Sequence, residues 1–595
     1  MSIDPPALTR RDWLWFLAIW TIGVAAALLR LVNFGDGKPL FLDTDDAMRM
    51  VMVRDFLAGQ NWYDLVQHRL NTPVGAEIHW SRLVDLPLAA LLSLAGLVAA
   101  PAQALVLTGL AWPLLLLGAL LFVSMRVARE LVGPESLLPA LVLPILSPAI
   151  LAEFAPGRVD HHNVIILLTL ACLWASLVAL RRPLAAWLAG LAAASAMAVA
   201  IEAVPLVLAT ILAFGLAYVA DPARAANLRR FGLGFALAMV GHLALARPPA
   251  RWLEAACDMI SPVYVLAGLA VGAAYLLVSL LPPPRRAVLR LALLGILGLA
   301  AAALVVAVYP QCLAGPYGAL DPWLQDNWIA AINEARPFHV SFIESPPYAV
   351  VVGVPILLGL VTAAIALWRH PGQRLAWLIL LVFLVCATLI MLAQVRGARL
   401  AILPTVPAAA WLIVVARRAY LARPVLLPAL GLACSWLAFS GVILAMLVNG
   451  TLGVLQRAEV DAVAEMRSSK QSCLVSESYA GLAALPPARI MAPIDLGSHI
   501  LLETPHEVVA APYHRNEAGV LDTFRFFNRP ADEARAIARE RGLGLVVTCD
   551  AMPEMQGSGL DDPGTTLNLL AAGTPPDWFD IVSLDGALKI YAIRP

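Results

Sequence analysis

Charged side chains are scarce in this chain. Asp, Glu, Lys and Arg make up only 14% of its 595 residues, whereas soluble proteins carry about 25%. Hydrophobic residues account for 61%, and the mean hydropathy is +0.79. This composition excludes an ordinary soluble protein and predicts a polytopic α-helical membrane protein.

Basic charge is also in short supply. The 41 Lys and Arg residues only balance 41 Asp and Glu residues, and lysine occurs only at positions 38, 470 and 589. A protein that binds nucleic acid needs a basic face that neutralises phosphates. The zero net charge therefore argues against a nucleic-acid partner.

Cysteine is equally sparse, and the seven cysteines show no metal-binding spacing. Five of them lie in or beside apolar stretches and are interpreted as small core residues; they are at positions 172, 257, 312, 386 and 434. The other two, Cys473 and Cys549, are the only cysteines after residue 450. An oxidising compartment would permit these two to pair.

Long apolar runs fill the first three quarters of the chain. A helix needs about 20 apolar residues to cross the hydrocarbon of a membrane. We predict thirteen transmembrane helices in a domain over residues 1–450, the first of them uncleaved because no small-residue cleavage site follows Arg10 and Arg11. They lie near residues 13–33, 105–124, 136–153, 163–180, 184–201, 203–220, 231–247, 262–281, 287–309, 347–368, 374–393, 400–416 and 425–448.

Arginine is concentrated in alternate loops between these runs. With Arg10 and Arg11 on the cytoplasmic side, the positive-inside rule is obeyed by every inner loop, and Arg247 and Arg251 are exceptions on the outer side. A further apolar run, 86–100, would reverse the pattern if it were a span, so we interpret it as a helix at the outer interface. The inner loops lie near residues 126–129, 181–182, 224–230, 285–286, 369–374 and 417–418.

This topology places three loops, 34–104, 154–162 and 310–346, on the outer side together with the C-terminal part. For a bacterial inner membrane that side is the periplasm. After residue 450 the chain gains charge and contains strand-like runs at 489–492, 508–511 and 544–548, with an amphipathic helix at 531–541. Residues 451–595 are therefore predicted to form a small periplasmic α/β domain.

Two acidic clusters lie at the edges of apolar runs. The first is segment 41–49 (FLDTDDAMR), and the second is segment 157–163 (GRVDHHN). A carboxylate beside hydrocarbon is costly unless it meets a cation, a partner or water, so such residues are functional candidates. Asp and His are also ligands of divalent metals. Because both clusters are predicted on the outer side, they can converge on one metal site.

Plainer structural interpretations of these residues stay open. Asp45 and Asp46 are also suited to capping a helix, and Asp160 to an N-cap with Arg158 as its neutralising partner. Arg396 and Arg399 are also explained as residues that snorkel to the interface, although their position on the outer side favours a role.

With these motifs the chain resembles the catalytic subunit of oligosaccharyltransferase, a GT-C membrane glycosyltransferase. The resemblance lies between residues 10 and 450. The matching features occur in the order of that family and are Asp43 six residues before Arg49, Pro73-Val-Gly75 ahead of Trp80, Gly157-x-x-Asp160-His-His162, Ser341-Phe-Ile-Glu344 before Pro346, and Arg396 and Arg399 ahead of a late span.

The resemblance implies roles for these residues. Asp43, Asp160 and His162 would bind the metal, and an oxygen-rich site suits Mg²⁺ or Mn²⁺. Asp43 or Asp45 would accept the acceptor's proton as general base.

Three further residues have implied roles. Glu344 would be a catalytic residue near the metal or the acceptor. Arg396 or Arg399 would bind the donor phosphate through its planar fork of donors.

One motif of the family is absent. Its acceptor signature, Trp-Trp-Asp-Tyr-Gly, has only a partial counterpart in Pro493-Ile-Asp495-Leu-Gly497. We therefore expect an enzyme that transfers a sugar or oligosaccharide from a polyprenyl-(pyro)phosphate carrier to a glycan, lipid or protein acceptor of the envelope, on the periplasmic side. The alternatives are a transporter or flippase for lipid-linked sugars, a true protein oligosaccharyltransferase, and a non-catalytic assembly or sensor protein.

Overall fold

A computed structural model describes residues 8–33, 39–455, 469–552, 555 and 562–594. Helices dominate it. Among the described residues, ten helices are long and apolar enough to cross a membrane, so the chain is a multi-pass membrane protein. They are Arg10–Leu29, Pro101–Val132, His162–Ala179, Ile201–Ala220, Pro222–Ala246, Pro262–Leu280, Ala287–Val308, Pro346–Arg369, Pro371–Ala393 and Val395–Ala422.

The other three predicted spans are helical but differ from simple spans. The run 184–201 contains Ala185–Val199, which has only 15 residues. The run 425–448 forms Leu426–Leu437 and Gly441–Thr451, which are bent by 90° at the break between them. The described structure thus has ten long spans, or eleven with the bent pair, instead of the thirteen predicted.

Proline explains the third difference. The run 136–153 is divided into Leu137–Ile145 and Pro148–Glu153. A proline disfavours helical backbone at the residue before it, and Ser147 is extended with φ −104° and ψ 110°. The helix that continues past Ser147 brings Glu153 towards the second acidic cluster.

Shorter helices form the loops and the C-terminal part. The run predicted as an interfacial helix corresponds to Arg82–Gly96, and Asp85 near its start is buried between Arg49 and Arg82 at 2.6 and 3.1 Å. The remaining helices outside the spans are Thr44–Leu57, Pro322–Asn327, Phe338–Glu344, Ala480–Ala483, Ile494–Glu503, Glu517–Asn528, Ala531–Arg541 and Thr566–Ala571.

The strands form a hairpin and a five-stranded sheet. In the first loop, β1 (Val66–Gln67) pairs antiparallel with β2 (Ala76–Glu77). The sheet has the order β4-β3-β5-β7-β6, in which β3 is parallel to β4 and β5, whereas β7 is antiparallel to β5 and β6. Its strands are β3 (Arg489–Met491), β4 (Glu507–Val508), β5 (Leu545–Thr548), β6 (Phe579–Ser583) and β7 (Lys589–Ile593).

The C-terminal region, residues 469–594, therefore has the mixed α/β structure that the sequence predicts. The strands at 489, 508 and 545 and the helix Ala531–Arg541 agree with the prediction, and β6 and β7 were not predicted. The predicted boundary at 450/451 falls inside helix Gly441–Leu455, and residues 456–468 lie outside the described part of the chain.

The first loop joins this sheet at its edge. Leu70 forms a parallel bridge with Val508 of β4. The Val508 N–H donates to the Arg69 carbonyl at 2.8 Å, and the Asn71 N–H donates to the Val508 carbonyl at 2.9 Å. Since an open sheet edge exposes unpaired backbone groups, the first loop both covers that edge and fixes the C-terminal region against the membrane helices.

Two disulfides occur among the described cysteines. Cys473 pairs with Cys549, as the sequence permits. Cys257 pairs with Cys312, so the interpretation of these two as small core residues is wrong. The second disulfide joins the loop after Ala225–Ala246 to the start of the loop 310–346, a contact between segments that sequence spacing does not reveal.

Arg69 tests the contact between the first loop and the C-terminal region. Its Nη1 donates to the carbonyls of Thr504 and His506 at 3.0 and 3.2 Å, and its Nη2 to that of Leu501 at 2.7 Å. We expect Arg69→Ala to lower the free energy of unfolding by about 1.5–3 kcal/mol, because hydrogen bonds from a charged donor are lost. Melting in detergent and trypsin cleavage within residues 469–594 would measure this.

Arg525→Ala is the matched control. The Arg525 side chain is 57% exposed, and a pair at such a surface contributes about 0–1 kcal/mol. Equal melting temperatures and cleavage rates for the two variants would contradict a tight contact at Arg69.

Candidate active site

The first acidic cluster begins a helix. Asp43 is the N-cap of Thr44–Leu57, and its Oδ1 accepts from the Asp45 N–H at 3.1 Å. Asp45 and Asp46 occupy the first turn. Acidic groups are favoured there by the unpaired N–H groups and the helix dipole. The cap is therefore Asp43 instead of Asp45 or Asp46, for which capping was considered, and the three carboxylates are presented together at one helix end.

The two acidic clusters meet at Arg158. Its Nη1 donates to Asp43 at 2.7 Å and to Asp46 at 2.9 Å. Its Nη2 donates to Asp160 at 2.6 Å and to Glu153 at 3.2 Å. One guanidinium group thus bridges four carboxylates, and the neutralising role considered for Arg158 extends well beyond Asp160.

Asp46 fixes the backbone of the second cluster. Its side chain is fully buried, and its Oδ1 accepts from the N–H groups of Val159 and Asp160 at 2.7 and 2.9 Å. Two backbone donors and Arg158 satisfy this carboxylate, as burial requires. Asp46 is therefore a positioning residue that locks the 157–163 loop onto the start of helix Thr44–Leu57.

Gly157 allows the close approach of these two segments. Its φ is +89°, and a Cβ at this position would lie 1.8 Å from the Leu40 carbonyl oxygen. Its N–H donates to the Gly109 carbonyl at 2.8 Å. Only glycine adopts this backbone conformation without strain, so the glycine of the motif serves the contact between the loops.

Asp160 and His162 are in contact and belong to a cluster of potential metal ligands. The His162 Nδ1 lies 2.6 Å from the Asp160 Oδ2, and its Nε2 lies 3.5 Å from Glu202. Two sets of potential ligand atoms lie within 4.8 Å of one another: Glu153, Asp160 and His162, and His161, His162 and Glu202. The donor atoms are carboxylate oxygens and imidazole nitrogens, which fit Mg²⁺, Mn²⁺ or Zn²⁺.

The contacts of Asp43 differ from the metal ligation that the family resemblance implies. Asp43 is absent from the two ligand sets that contain His162, and its Oδ2 is bound to Arg158. Asp43 and Asp160 therefore share one guanidinium group, and Glu153 and Glu202 are the carboxylates that accompany Asp160 and His162. The metal ligation of Asp43 stays a prediction.

The pKa values of Asp43 and Asp45 are shifted in opposite directions. Burial acts to raise the pKa of Asp43, but the charge of Arg158 and the hydrogen bonds from Arg158 and the Asp45 N–H together lower it below its usual value. Burial and the charges of Asp43 and Asp160 together raise the pKa of Asp45 to about 7. Asp43 is held as a carboxylate, whereas Asp45 can take up a proton near neutral pH, which is a property of a general base.

The two predicted phosphate-binding arginines lie on the opposite wall. Arg396 binds Glu202 at 2.8 Å. Arg399, which is buried, binds Glu153 at 3.2 Å and Glu334 at 2.9 Å. Both arginines therefore reach the carboxylates that surround Asp160 and His162, and their binding of a phosphate stays a prediction.

Glu344 lies apart from this cluster. Its side chain is 53% exposed and pairs with Arg336 at 2.6 Å. Among the described residues that line the cavities, the acids contributed by this loop are Asp326, in the arginine cavity, and Glu334, in the acidic cavity. The structure does not bring Glu344 to the other candidate residues, and its catalytic role stays a prediction.

Three cavities adjoin the cluster. The acidic cavity, about 740 Å³, is lined by Asp43, Asp45 and Glu153. The arginine cavity, about 780 Å³, shares His162, Glu202, Arg396 and Arg399 with it. The apolar cavity, about 780 Å³, lies between helices Val204–Ala220, Pro262–Leu280 and Ala287–Val308 and shares Met197, Val204 and Tyr264 with the arginine cavity.

The C-terminal region closes the acidic cavity. Lys470, Asp495 and Tyr513 line it. Lys470 binds Asp495 at 2.7 Å, and the Tyr513 hydroxyl donates to the Thr44 carbonyl at 3.2 Å. The His499 Nε2 lies 2.9 Å from the Phe41 carbonyl. The partial acceptor motif therefore lies close to the start of helix Thr44–Leu57.

Sequence reasoning missed several of these residues. Glu153, Glu202 and Glu334 were overlooked because each is a single acid without a motif around it. A usable signal existed for two of them, since Glu153 and Glu202 are isolated acids at the ends of apolar runs, where an unpaired charge is costly. Lys470 and Tyr513 carried no comparable signal.

Gly157→Ala tests the close contact between the two clusters. Steric overlap with Leu40 would push segment 40–46 away from Asp160, so we expect the glycosyl transfer that the family resemblance implies to be lost. Gly133→Ala is the control: Gly133 has a similar φ of +94°, but nothing lies within 4 Å of its Cβ position.

Both variants carry the strain of a positive φ, about 1–2 kcal/mol. Melting in detergent would measure this shared cost, and transfer activity would measure the clash. A Gly157→Ala enzyme as active as Gly133→Ala would contradict the contact.

No protein-family model matches this chain, and no curated protein sequence matches it. Several solved structures, however, are similar to this chain. The archaeal oligosaccharyltransferase AglB from Archaeoglobus fulgidus, in complex with an inhibitory peptide and a dolichol-phosphate, superposes with a TM-score of 0.67. The identity is 16%, and the match covers 98% of this chain and 75% of that chain.

Two other structures of the Archaeoglobus fulgidus oligosaccharyltransferase are also similar. One is tethered to an acceptor peptide containing the NVT sequon, with a TM-score of 0.61, 14% identity and coverage of 98% and 74%. The other is a complex with Zn and sulfate, with a TM-score of 0.57, 14% identity and coverage of 97% and 73%. The resemblance seen in the motifs is thereby confirmed at the level of structure: this chain has the GT-C fold of oligosaccharyltransferase.

Proposed function

We propose that the protein is a metal-dependent glycosyltransferase that uses a lipid-linked donor. It transfers a sugar or oligosaccharide from a polyprenyl-(pyro)phosphate carrier to an acceptor of the envelope. The observation that carries this proposal is the continuity of the three cavities: an apolar space between membrane helices opens to two arginines and then to a cluster of carboxylates and histidines.

Each cavity suits one part of such a donor. The apolar cavity has almost no polar wall and fits a polyprenyl chain. Arg396 and Arg399 lie in the next cavity, where their planar forks suit phosphate oxygens. The solved AglB complex that contains a dolichol-phosphate supports this placement by fold. The sugar would then reach the carboxylates of the acidic cavity.

A divalent metal fits the cluster beside the phosphate position. Asp160 and His162 would hold it with Glu153 as the third ligand, and His161, His162 and Glu202 form an alternative set. When bound, a divalent ion neutralises the charge that develops on a leaving phosphate. The oxygen-rich set favours Mg²⁺ or Mn²⁺, and the structure of the archaeal enzyme with Zn and sulfate supports a metal and an anion in this fold.

Asp45 suits the role of general base. It lines the acidic cavity beside Lys470 and Tyr513, where an acceptor would approach. As the new bond forms between the acceptor oxygen and the anomeric carbon, Asp45 would take the hydroxyl proton while the carrier phosphate leaves with the old bond's electrons. Attack from the face opposite the carrier inverts the anomeric configuration.

The periplasmic side is supported by chemistry as well as by arginine placement. Disulfides persist in oxidising compartments. Cys473–Cys549 lies in the C-terminal region, and Cys257–Cys312 joins two of the loops at the candidate site. Both bonds therefore suit a site on the periplasmic face of a bacterial inner membrane. A transporter would instead place its ionisable groups near the midplane.

Asp160→Asn tests the metal-dependent step. We expect the variant to reduce transfer from lipid-linked donor by about 100-fold or more and to require a higher Mn²⁺ concentration, because a charged ligand is lost. Radiolabelled or mass-spectrometric product analysis after EDTA treatment and Mn²⁺ addition would measure both effects.

Asp580→Asn is the control, because Asp580 is an exposed strand residue paired only at the surface with Arg594. It should retain full activity and the same metal requirement. Undiminished transfer by Asp160→Asn in EDTA-treated membranes would show that the reaction needs no metal at this position.

The acceptor gives a second prediction. Ile494 and Leu496 are buried apolar residues on either side of Asp495, so this segment offers no aromatic hydroxyl or indole group to a sequon. Sites that hydrogen-bond a specific group discriminate strongly, and apolar ones do not. We expect no transfer to an Asn-x-Thr peptide when the purified protein is incubated with Mn²⁺ and a lipid-linked oligosaccharide extract.

The Archaeoglobus fulgidus enzyme with its own donor serves as the positive control. Transfer to a glycan or lipid acceptor from the envelope, with no glycopeptide formed, is the expected result. A glycopeptide from this chain would establish a protein oligosaccharyltransferase instead.

A further inference from the structure

A second group of metal-ligating side chains lies outside the acidic cluster. It consists of His79, Asp258 and His514, and one ligand atom of each lies within 4.8 Å of the others. The three residues come from the first loop, the loop after Ala225–Ala246 and the C-terminal region. Three separate parts of the chain therefore deliver one ligand each to the same point.

The geometry of this group is that of a preorganised site. The His514 Nε2 lies 2.7 Å from the Asp258 Oδ2, and the rings of His79 and His514 have centroids 4.8 Å apart. Metal–ligand bonds of about 2.1 Å at a tetrahedral angle place two ligand atoms about 3.4 Å apart, which lies between the His514–Asp258 distance and the 4.8 Å limit of the group. All three side chains are half-buried.

Neighbouring residues orient the carboxylate. The Arg515 Nε and Nη2 donate to Asp258 at 2.7 and 2.8 Å, while its Nη1 donates to Glu77. Glu77 thus offsets the arginine charge. Metal-ligating carboxylates usually accept such hydrogen bonds from an outer shell. Cys257, next to Asp258, is tied to Cys312 by a disulfide, which further fixes this loop.

One atom of the group lacks a partner. The His79 Nδ1 is buried and has no hydrogen-bond partner among the described residues. Buried polar atoms are nearly always bonded. A ligand that the chain itself does not supply would explain this nitrogen.

We propose that His79, Asp258 and His514 bind a second divalent ion, separate from the one at Asp160 and His162. Two imidazoles and one carboxylate suit Zn²⁺, which takes three protein ligands and leaves a fourth position open in sites that contact substrate. His79 and His514 line both the arginine cavity and the acidic cavity. The ion would therefore lie in the wall between them and join three segments around the site.

Zinc stoichiometry tests this proposal on the full-length protein in detergent. The protein would be stripped with a chelator, dialysed against Zn²⁺ and analysed by inductively coupled plasma mass spectrometry. We expect His79→Gln, Asp258→Asn and His514→Gln each to bind one equivalent of Zn²⁺ less than the wild type. His68→Gln is the control, since His68 is an exposed histidine paired with Asp64, and it should bind as the wild type does.

The Asp160→Asn background separates the two sites. In it, Co²⁺ added in place of Zn²⁺ should still give the visible absorption of a nitrogen- and oxygen-ligated ion, and the double variant Asp160→Asn, His79→Gln should lose it. Size-exclusion profiles identify any variant that fails to fold. Equal zinc content in His79→Gln and wild type, or no Co²⁺ absorption in Asp160→Asn, would overturn the second site without bearing on the first.

Discussion

The guanidinium group of Arg158 holds together carboxylates that would otherwise repel one another. The side chains of Asp43, Asp46, Glu153 and Asp160 all accept hydrogen bonds from this one cation. Breaking a buried charge pair by removing one partner typically costs about 3–5 kcal/mol. The position of helix Thr44–Leu57, the conformation of the 157–163 loop and the placement of the metal-ligating cluster all depend on this contact.

The C-terminal region also fixes the segment that contains Asp43. The first loop is bonded to the edge of its sheet through residues 69–71, and the hydroxyl of Tyr513 and the ring of His499 reach the backbone on either side of Asp43. The start of helix Thr44–Leu57 is therefore held both by Arg158 and by the C-terminal region. The candidate site belongs to the interface between the membrane helices and the sheet, and neither part contains it alone.

Much of this architecture is readable from the sequence, for identifiable reasons. Every predicted apolar run is helical because burial in a membrane leaves no other way to satisfy the backbone. The two acidic clusters were found because charge is rare in the chain. The pairing of carboxylates with cations could not be predicted from the sequence. Arg158 can neutralise one acid or four, and packing determines the distances that decide this.

The differences between the sequence predictions and the structure also arise from packing. Cys257 and Cys312 lie far apart in sequence and beside apolar stretches, so nothing local indicates their pairing. Glu344 matched a family motif, yet it lies at an exposed helix end. Glu334, from the same loop, lines the acidic cavity and pairs with Arg399. The bent pair near residue 439 has the apolar length of one span, and hydropathy does not register a change of direction.

The pairing of residues 69–71 with β4 also governs when the protein becomes functional during synthesis. The first loop emerges early, and its partner strand is more than 400 residues away at Val508. Contacts between such distant segments form late. A nascent or truncated chain can insert its helices and still lack the part of the cavity wall that the C-terminal region supplies. The acidic cavity is therefore complete only when that region has docked against the first loop.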